Sequence, residues 1–362
     1  MVTQRRCCGT LGDMRAPVFC GIVPPHILEH LAAHAEDDAV REAAERSLAL
    51  DALNRVHRAA APRAPEGIVR ERALDTAERT VCDDHHTQRL PGRVVRTEGA
   101  APVPDQTVDR AYDGLGATFD FYLAAYARHS IDGQGLPLDA TVHYGQKYDN
   151  AFWNGERMIF GDGDGTLFND FTVSVDVIGH ELTHGVTQYS ANLDYQDQSG
   201  ALNESVSDVF GSLVKQYALK QTADQADWLI GAGLLAPGVQ GVALRSMKAP
   251  GTAYDDPNLG QDPQPATMAG YVETSDDNGG VHINSGIPNH AFYLAATAIG
   301  GFAWEKAGQI WYDVLTGGTL PASAEFATFA AATVAAAQAR YGAAEVAAVR
   351  DAWVQVGVTA PS

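Results

Sequence analysis

Apolar and polar positions fall into three textures along the chain. Over 24–61, Ile27 and the leucines recur at helical spacing in an Ala-, Glu- and Arg-rich background, which predicts a helical segment opening at the Pro24–Pro25 pair. "APRAPEG" then breaks the pattern and reads as an exposed linker. From 71 to 172 short β-branched or aromatic runs ("GRVVRTEG", "ATVHYGQKY", "AFWNGERMIFGDGDG") are bounded by Gly, Asn and Asp, the signals of strands and turns. One helix over 105–130 interrupts them, with Ala111, Leu115, Phe119, Tyr122 and Tyr126 three or four apart. From 173 onward helical patterns dominate, at 172–190, 200–219, 284–300, 303–315, 323–342 and 343–357, around a Gly-rich irregular stretch at 236–282. Strands first and helices afterwards predict an α+β class with two lobes.

Composition narrows this picture. The chain's 362 residues exceed one compact core. No run of 18 apolar residues occurs, so no membrane span is expected. A net charge of −20 argues against a nucleic-acid partner. The four cysteines (Cys7, Cys8, Cys20, Cys82) all precede residue 83, leaving the main body without a disulfide framework. The N-terminus carries basic residues but no continuous apolar region, so no Sec signal is predicted; Met1 and Met14 are both candidate starts.

The candidate chemistry lies in "VIGHELTHGVTQYS" at 177–190. Residues four apart share one helix face, so His180 and His184 can address one ion, with Glu181 rotated by about 100° to lean over its open side as a base. A structural zinc site takes four protein ligands and a catalytic one takes three, so a third is required. Glu204, twenty residues after His184 near the start of the next helix, is the candidate, with a loop long enough to fold that helix back. Asp208, one turn later on the same face, is placed to accept the free N–H of a ligating histidine. The bland alternative is a helix with core histidines beside a solvated acidic stripe.

"HELTHGVTQYSANLDYQDQSGALNESVSDVFG", "NAFWNGERMIFGDGDG" and "DNGGVHINSGIPNHAFY" together resemble the thermolysin family of zinc endopeptidases, from about residue 88 to the C-terminus. The resemblance implies a zincin fold with the metal between a β-rich N-terminal lobe (71–190) and an α-helical C-terminal lobe (191–362). It implies hydrolysis of protein or peptide substrates on the N-terminal side of bulky apolar residues. Tyr195 and His282 would stabilise the oxyanion, Asp277 would orient His282, the Asn150 side chain and Ala151 backbone would hold an extended peptide, and Arg245 would grip the carbonyl beside the scissile bond. Family members are commonly secreted.

Two departures stand out. Of the positions matching the family's paired calcium site, Asp176 and Asp227 remain acidic, but Lys215, Leu229 and Ala232 cannot ligate a hard cation, so calcium dependence is not expected. "GDGDG" at 161–165 lacks the Glu of a calcium loop and reads as a turn. The short leader with "FCGIVPPHIL" is similar to the protealysin subgroup, implying that residues 1–70 form an inhibitory propeptide cleaved between about 59 and 79. Within it, Cys20 could ligate the zinc before processing, or simply pack as a small apolar residue. Two rival functions are a catalytically dead peptide-binding relative, which would lack Glu181 or a ligand, and a zinc-dependent structural module, which would need a fourth protein ligand and no base.

Overall fold

A computed structural model describes residues 20–60 and 74–359. Cys7, Cys8, Met14 and the 61–73 linker, where the expected cleavage region largely falls, lie outside the described residues. The leader forms two helices rather than one continuous segment, α1 (Pro25–His34) and α2 (Asp38–Ala60). The acidic run at 36–38 is the reason: the Ala35 N–H closes the last turn of α1 on the Leu31 carbonyl, and Asp37 caps the new helix by accepting from the Ala39 N–H at 2.8 Å.

The N-terminal lobe is built on five strands, β1 (Arg79–Asp83), β2 (Arg93–Thr97), β3 (Leu138–Val142), β4 (Ala151–Trp153) and β5 (Met158–Phe160), in the order β2-β1-β3-β5-β4. β1, β3 and β5 run parallel, and the outer strands β2 and β4 pair antiparallel. The parallel β1–β3 pairing is reached through α3 (Gln106–Tyr126), capped by Asp105. β4 stands at the sheet edge, and leader residue Gly21 bridges antiparallel to Phe152 on it.

Two helices cross at the junction of the lobes, α4 (Val175–Gln188) and α5 (Asp197–Leu219). α4 is shorter than the apolar pattern predicts because 171–173 form a separate 3₁₀ turn, and α5 begins three residues earlier than predicted. The helices cross in near backbone contact: a Cβ on Gly211 would stand 2.4 Å from the Asp176 carbonyl and 2.9 Å from the His180 nitrogen. The C-terminal lobe continues with α6 (Asp277–Asn284), α7 (Gly286–Ile299), α8 (Ala307–Thr316), α9 (Phe326–Arg340) and α10 (Ala343–Gln355). The Gly-rich stretch before them contains strands of two residues at 245–246, 255–256 and 260–261. One hydrophobic core joins both lobes and includes Ile22, Ile27, Leu28 and Leu31 of the leader. A second cluster seats Leu50 of α2 among Tyr144, Tyr148, Phe152 and Ile159. Among the described residues no helix is long and apolar enough to cross a membrane.

Candidate active site

The close crossing of α4 and α5 brings together the side chains that spacing alone had paired. His180 and His184 project from α4 with their Nε2 atoms 3.0 Å apart, and the Glu204 carboxylate on α5 lies 3.6 and 3.5 Å from those two atoms. Glu204 stands in the second turn of α5 rather than at its start. All three residues are buried. Asp208, an acceptor, lies 2.8 Å from His180 Nδ1, so that nitrogen carries the proton. The Asn203 amide donates to the Leu193 carbonyl, which turns its oxygen towards His184 Nδ1 at 2.9 Å. Both Nε2 atoms therefore present lone pairs to one another and to a carboxylate. Such a buried convergence of acceptors fits a cation, and two imidazoles with a carboxylate match a zinc donor set.

Electrostatics around this centre is set by burial and by neighbours. Burial opposes ionisation of Glu204, yet His282, His184, His180 and Arg245 outweigh it and hold its pKa down to about 2. Burial lowers His184 to about 4, so its ring is neutral near pH 7. For Glu181, burial and then the Glu204 charge push the carboxyl well above its usual range. Glu181 Oε2 accepts from the Trp153 N–H at 3.0 Å, while the buried Oε1 has no partner among the described residues.

Across the cleft, Asn278, Gly279 and Gly280 take left-handed backbone angles that turn the chain sharply and present His282. The Asp277 carboxylate receives both the His282 Nδ1–H at 2.7 Å and its backbone N–H at 2.9 Å. Burial would lower this histidine, but Asp277 and Glu204 overcome it and hold its pKa up to about 9, leaving a protonated donor. Tyr195, from the loop between α4 and α5, donates to Glu204 Oε1 at 2.5 Å and lies 3.4 Å from His282 Nε2.

The leader lies over these groups. The Cys20 thiol donates to Glu204 Oε1 at 3.0 Å and stands 3.3 Å from His282 Nε2; its sulfur belongs to the same buried cluster as His180, His184 and Glu204. The Ile22 N–H donates to the Ala151 carbonyl at 3.0 Å, and the Ile22 carbonyl accepts from Arg245 Nη1 at 3.0 Å. The Val23 N–H donates to Asn150 Oδ1 at 2.9 Å. A cavity of about 250 Å³ remains between the leader and Tyr195, Asp277 and His282.

All twelve site residues expected from sequence thus lie in one contiguous cleft. Sequence reasoning missed Asn203 and Ser207, both within 3.1 Å of His184 Nδ1, and Asn289, whose amide donates to Asp208 Oδ2 at 2.8 Å. Asn203 adjoins Glu204, and Ser207 lies one turn away on the same helix, so the face of α5 that carries the carboxylates was the available signal. At the positions of the expected calcium loss, Lys215 Nζ sits 2.6 Å from Asp176 and 2.9 Å from Asp227 and donates to the Leu229 carbonyl at 2.7 Å, occupying that pocket with its own charge. In "GDGDG", Asp164 accepts from the backbone N–H groups of Thr166, Leu167 and Phe168, forming the turn read from sequence.

Comparison with known proteins agrees with this geometry. Residues 73–188 match the family model for the thermolysin metallopeptidase catalytic domain, and residues 191–358 match that for its α-helical domain. The chain is 52% identical over 346 residues to an extracellular metalloprotease of Pectobacterium carotovorum subsp. carotovorum, covering 95% of this chain and 98% of that one. It is 43% identical over 288 residues to a thermolysin of Bacillus sp. (strain EA1), covering 76% of this chain and half of that relative's length. The solved precursor of protealysin, a metalloproteinase from Serratia proteamaculans, superposes with a TM-score of 0.86 at 53% identity, over 94% of this chain and all of that one.

Proposed function

The chain belongs to the thermolysin family of metallopeptidases, zinc-dependent hydrolases of peptide bonds, and we propose that it is the latent form, its leader lying across the cleft as a peptide substrate would. The observation that carries this reading is the triple engagement of Ile22 and Val23 by Ala151, Arg245 and Asn150, the residues whose resemblance implied peptide binding. It is β-augmentation of an edge strand, in which main-chain bonds give affinity and side-chain pockets give selectivity. The fully buried Ile22 side chain then sits where the residue after a scissile bond would sit, which supports a preference for bulky apolar residues there.

His180, His184 and Glu204 would hold the zinc, and Asp208 fixes the His180 ring. Zinc, when bound, supplies the Lewis acidity that peptide hydrolysis at neutral pH needs. Glu181 takes a proton at its Oε1 from the water that attacks the scissile carbonyl, and returns it to the amine that leaves when the C–N bond breaks; a carboxyl raised above its usual pKa suits that shuttle. His282, kept protonated by Asp277, and Tyr195 donate hydrogen bonds to the developing oxyanion. Residues 1–70 act as the propeptide, and the Cys20 thiol occupies the approach to the metal until they are removed. Neither rival reading is favoured: Glu181 and the three expected ligands are all present, and although the Cys20 thiol could stand as a fourth ligand, a base beside the cluster does not suit a purely structural site.

The test is a quenched peptide with a bulky apolar residue after the cleaved bond, assayed on processed enzyme with and without a zinc chelator, beside Glu181→Gln. Chelator-sensitive cleavage, and a variant that keeps stoichiometric zinc with turnover reduced about 10²–10⁴-fold, is the expected result. Near-normal turnover by Glu181→Gln would remove that residue from the mechanism, and equal activity of intact and processed chains would end the latency proposal.

A further inference from the structure

A second meeting of histidines and a carboxylate is left unused by the peptidase centre. The parallel strands β1, β3 and β5 end side by side, and each delivers one residue just past its C-terminal end: His86, His143 and Asp162. His143 Nδ1 lies 2.8 Å from Asp162 Oδ1, and His86 Nδ1 lies 3.2 Å from Asp162 Oδ2. One donor atom from each of the three residues falls within 4.8 Å of the others. Ligands bound at 2.0–2.2 Å to a tetrahedral zinc stand roughly 3.4 Å from one another, inside this limit.

We propose that His86, His143 and Asp162 form a second transition-metal site that staples the ends of three strands in the N-terminal lobe. Three further observations support it. His143 Nε2 lies 2.9 Å from Asp105 Oδ2, the outer carboxylate that orients metal-ligating histidines and raises their basicity. His86 and His143 both hold left-handed backbone angles (φ 58° and 54°), a conformation that costs a non-glycine residue energy and that here turns the two rings towards one carboxylate. The cluster opens on a groove of about 490 Å³ against α2, with room for water to complete the coordination. Two imidazoles and one carboxylate select zinc, cobalt or nickel over calcium or magnesium. The same groups are also held together by a proton, since hydrogen bonds to Asp162 and Asp105 keep His143 up to about 9. An ion would take that proton's place, so this site is weaker than the catalytic one and fills at higher free zinc.

The full chain, already holding its catalytic zinc, is dialysed against rising free zinc, and bound metal is measured by elemental analysis beside thermal unfolding. Wild type takes up one further equivalent and its melting temperature rises with it. His86→Ala and Asp162→Asn keep the first equivalent, which shows that they fold, and bind the second about tenfold or more weakly without the thermal shift. Calcium in place of zinc produces no shift. Absence of the second equivalent in wild type, or its retention at unchanged affinity in both variants, would overturn the proposal.

Discussion

Asp208 and Arg245 form a buried two-pronged ion pair, Nε to Oδ2 at 2.8 Å and Nη2 to Oδ1 at 2.9 Å. The same carboxylate receives His180 Nδ1–H and the Asn289 amide. One residue therefore couples the proposed metal ligands to the guanidinium that holds the Ile22 carbonyl. Burial opposes its charge, but Arg245 and His180 overcome this and hold the carboxyl well below its usual range. Asp208→Asn leaves the Arg245 charge without its counterion. We expect a stability loss of about 3–5 kcal/mol and zinc affinity reduced about 10–100-fold, read by thermal unfolding and by chelator competition.

Cys20 lies in direct contact with Glu204 and His282, while Ile22 and Val23 are bound along β4 independently of it. Cys20→Ala should weaken leader docking without abolishing it, and so raise the activity of intact chains by about tenfold or more, one factor of ten for each 1.4 kcal/mol of docking lost. Initial rates on a short quenched peptide, taken before any cleaved leader is visible on a gel, decide this. An unchanged rate would reduce Cys20 to a packing residue.

Leader docking should depend on pH through Asp51. This carboxyl of α2 accepts from the Asn150 amide at 3.0 Å and from the Tyr148 hydroxyl. Burial pushes its pKa up from 3.8 to about 6 against those two bonds and against Arg55 and His282. A carboxyl raised in the docked state favours docking while protonated. That contribution is whole below the free pKa and is lost as pH rises through about 6. The Asp51 contribution to docking of the severed leader should fall by of order 2–3 kcal/mol across that window, while leader His26, which burial lowers from 6.5 to about 4, contributes the opposite slope. Asp51→Asn should therefore make docking strengthen with rising pH relative to the unmodified leader, as measured by co-elution of leader and catalytic domain at a series of pH values.

Lys215 fills the pocket in which the family resemblance would place calcium, so calcium removal should leave the protein's stability unchanged. Burial would lower its pKa, but Asp176 and Asp227 raise it, and the ammonium stays charged at all working pH values. Addition of a calcium-selective chelator is expected to leave the melting temperature where it was. Lys215→Met, by contrast, strands the fully buried Asp176 and should cost about 3–5 kcal/mol.

How much of this could be read from the chain alone follows from the range of each interaction. His180, Glu181 and His184 lie within one helical turn, so their spacing fixed their relative positions. Glu204 and Asp208 were found because the loop before them is long enough to fold the second helix back beside the first and the helix face repeats every fourth residue. The two-helix leader was legible in principle, since the run at 36–38 supplies a cap, but the flanking Ala- and Leu-rich pattern conceals the break. β1 ("RTVCD") carries charged residues at both ends and did not stand out, and its parallel pairing with β3 spans 54 residues of intervening chain, 84–137. That Ile22 lies along Ala151 could not be read from local pattern, because nothing near either residue encodes contact across more than a hundred positions.

The bridge from Gly21 to Phe152 has a consequence for how a population of these molecules awakens. A cleft already filled by its own N-terminal strip has no room for any other stretch of the same polypeptide. The opening cut must then be delivered by a neighbour whose cleft is already empty, and every molecule so freed recruits others. Maturation should spread like a contagion, with a lag that shortens as the solution is concentrated or seeded with finished enzyme and lengthens on dilution.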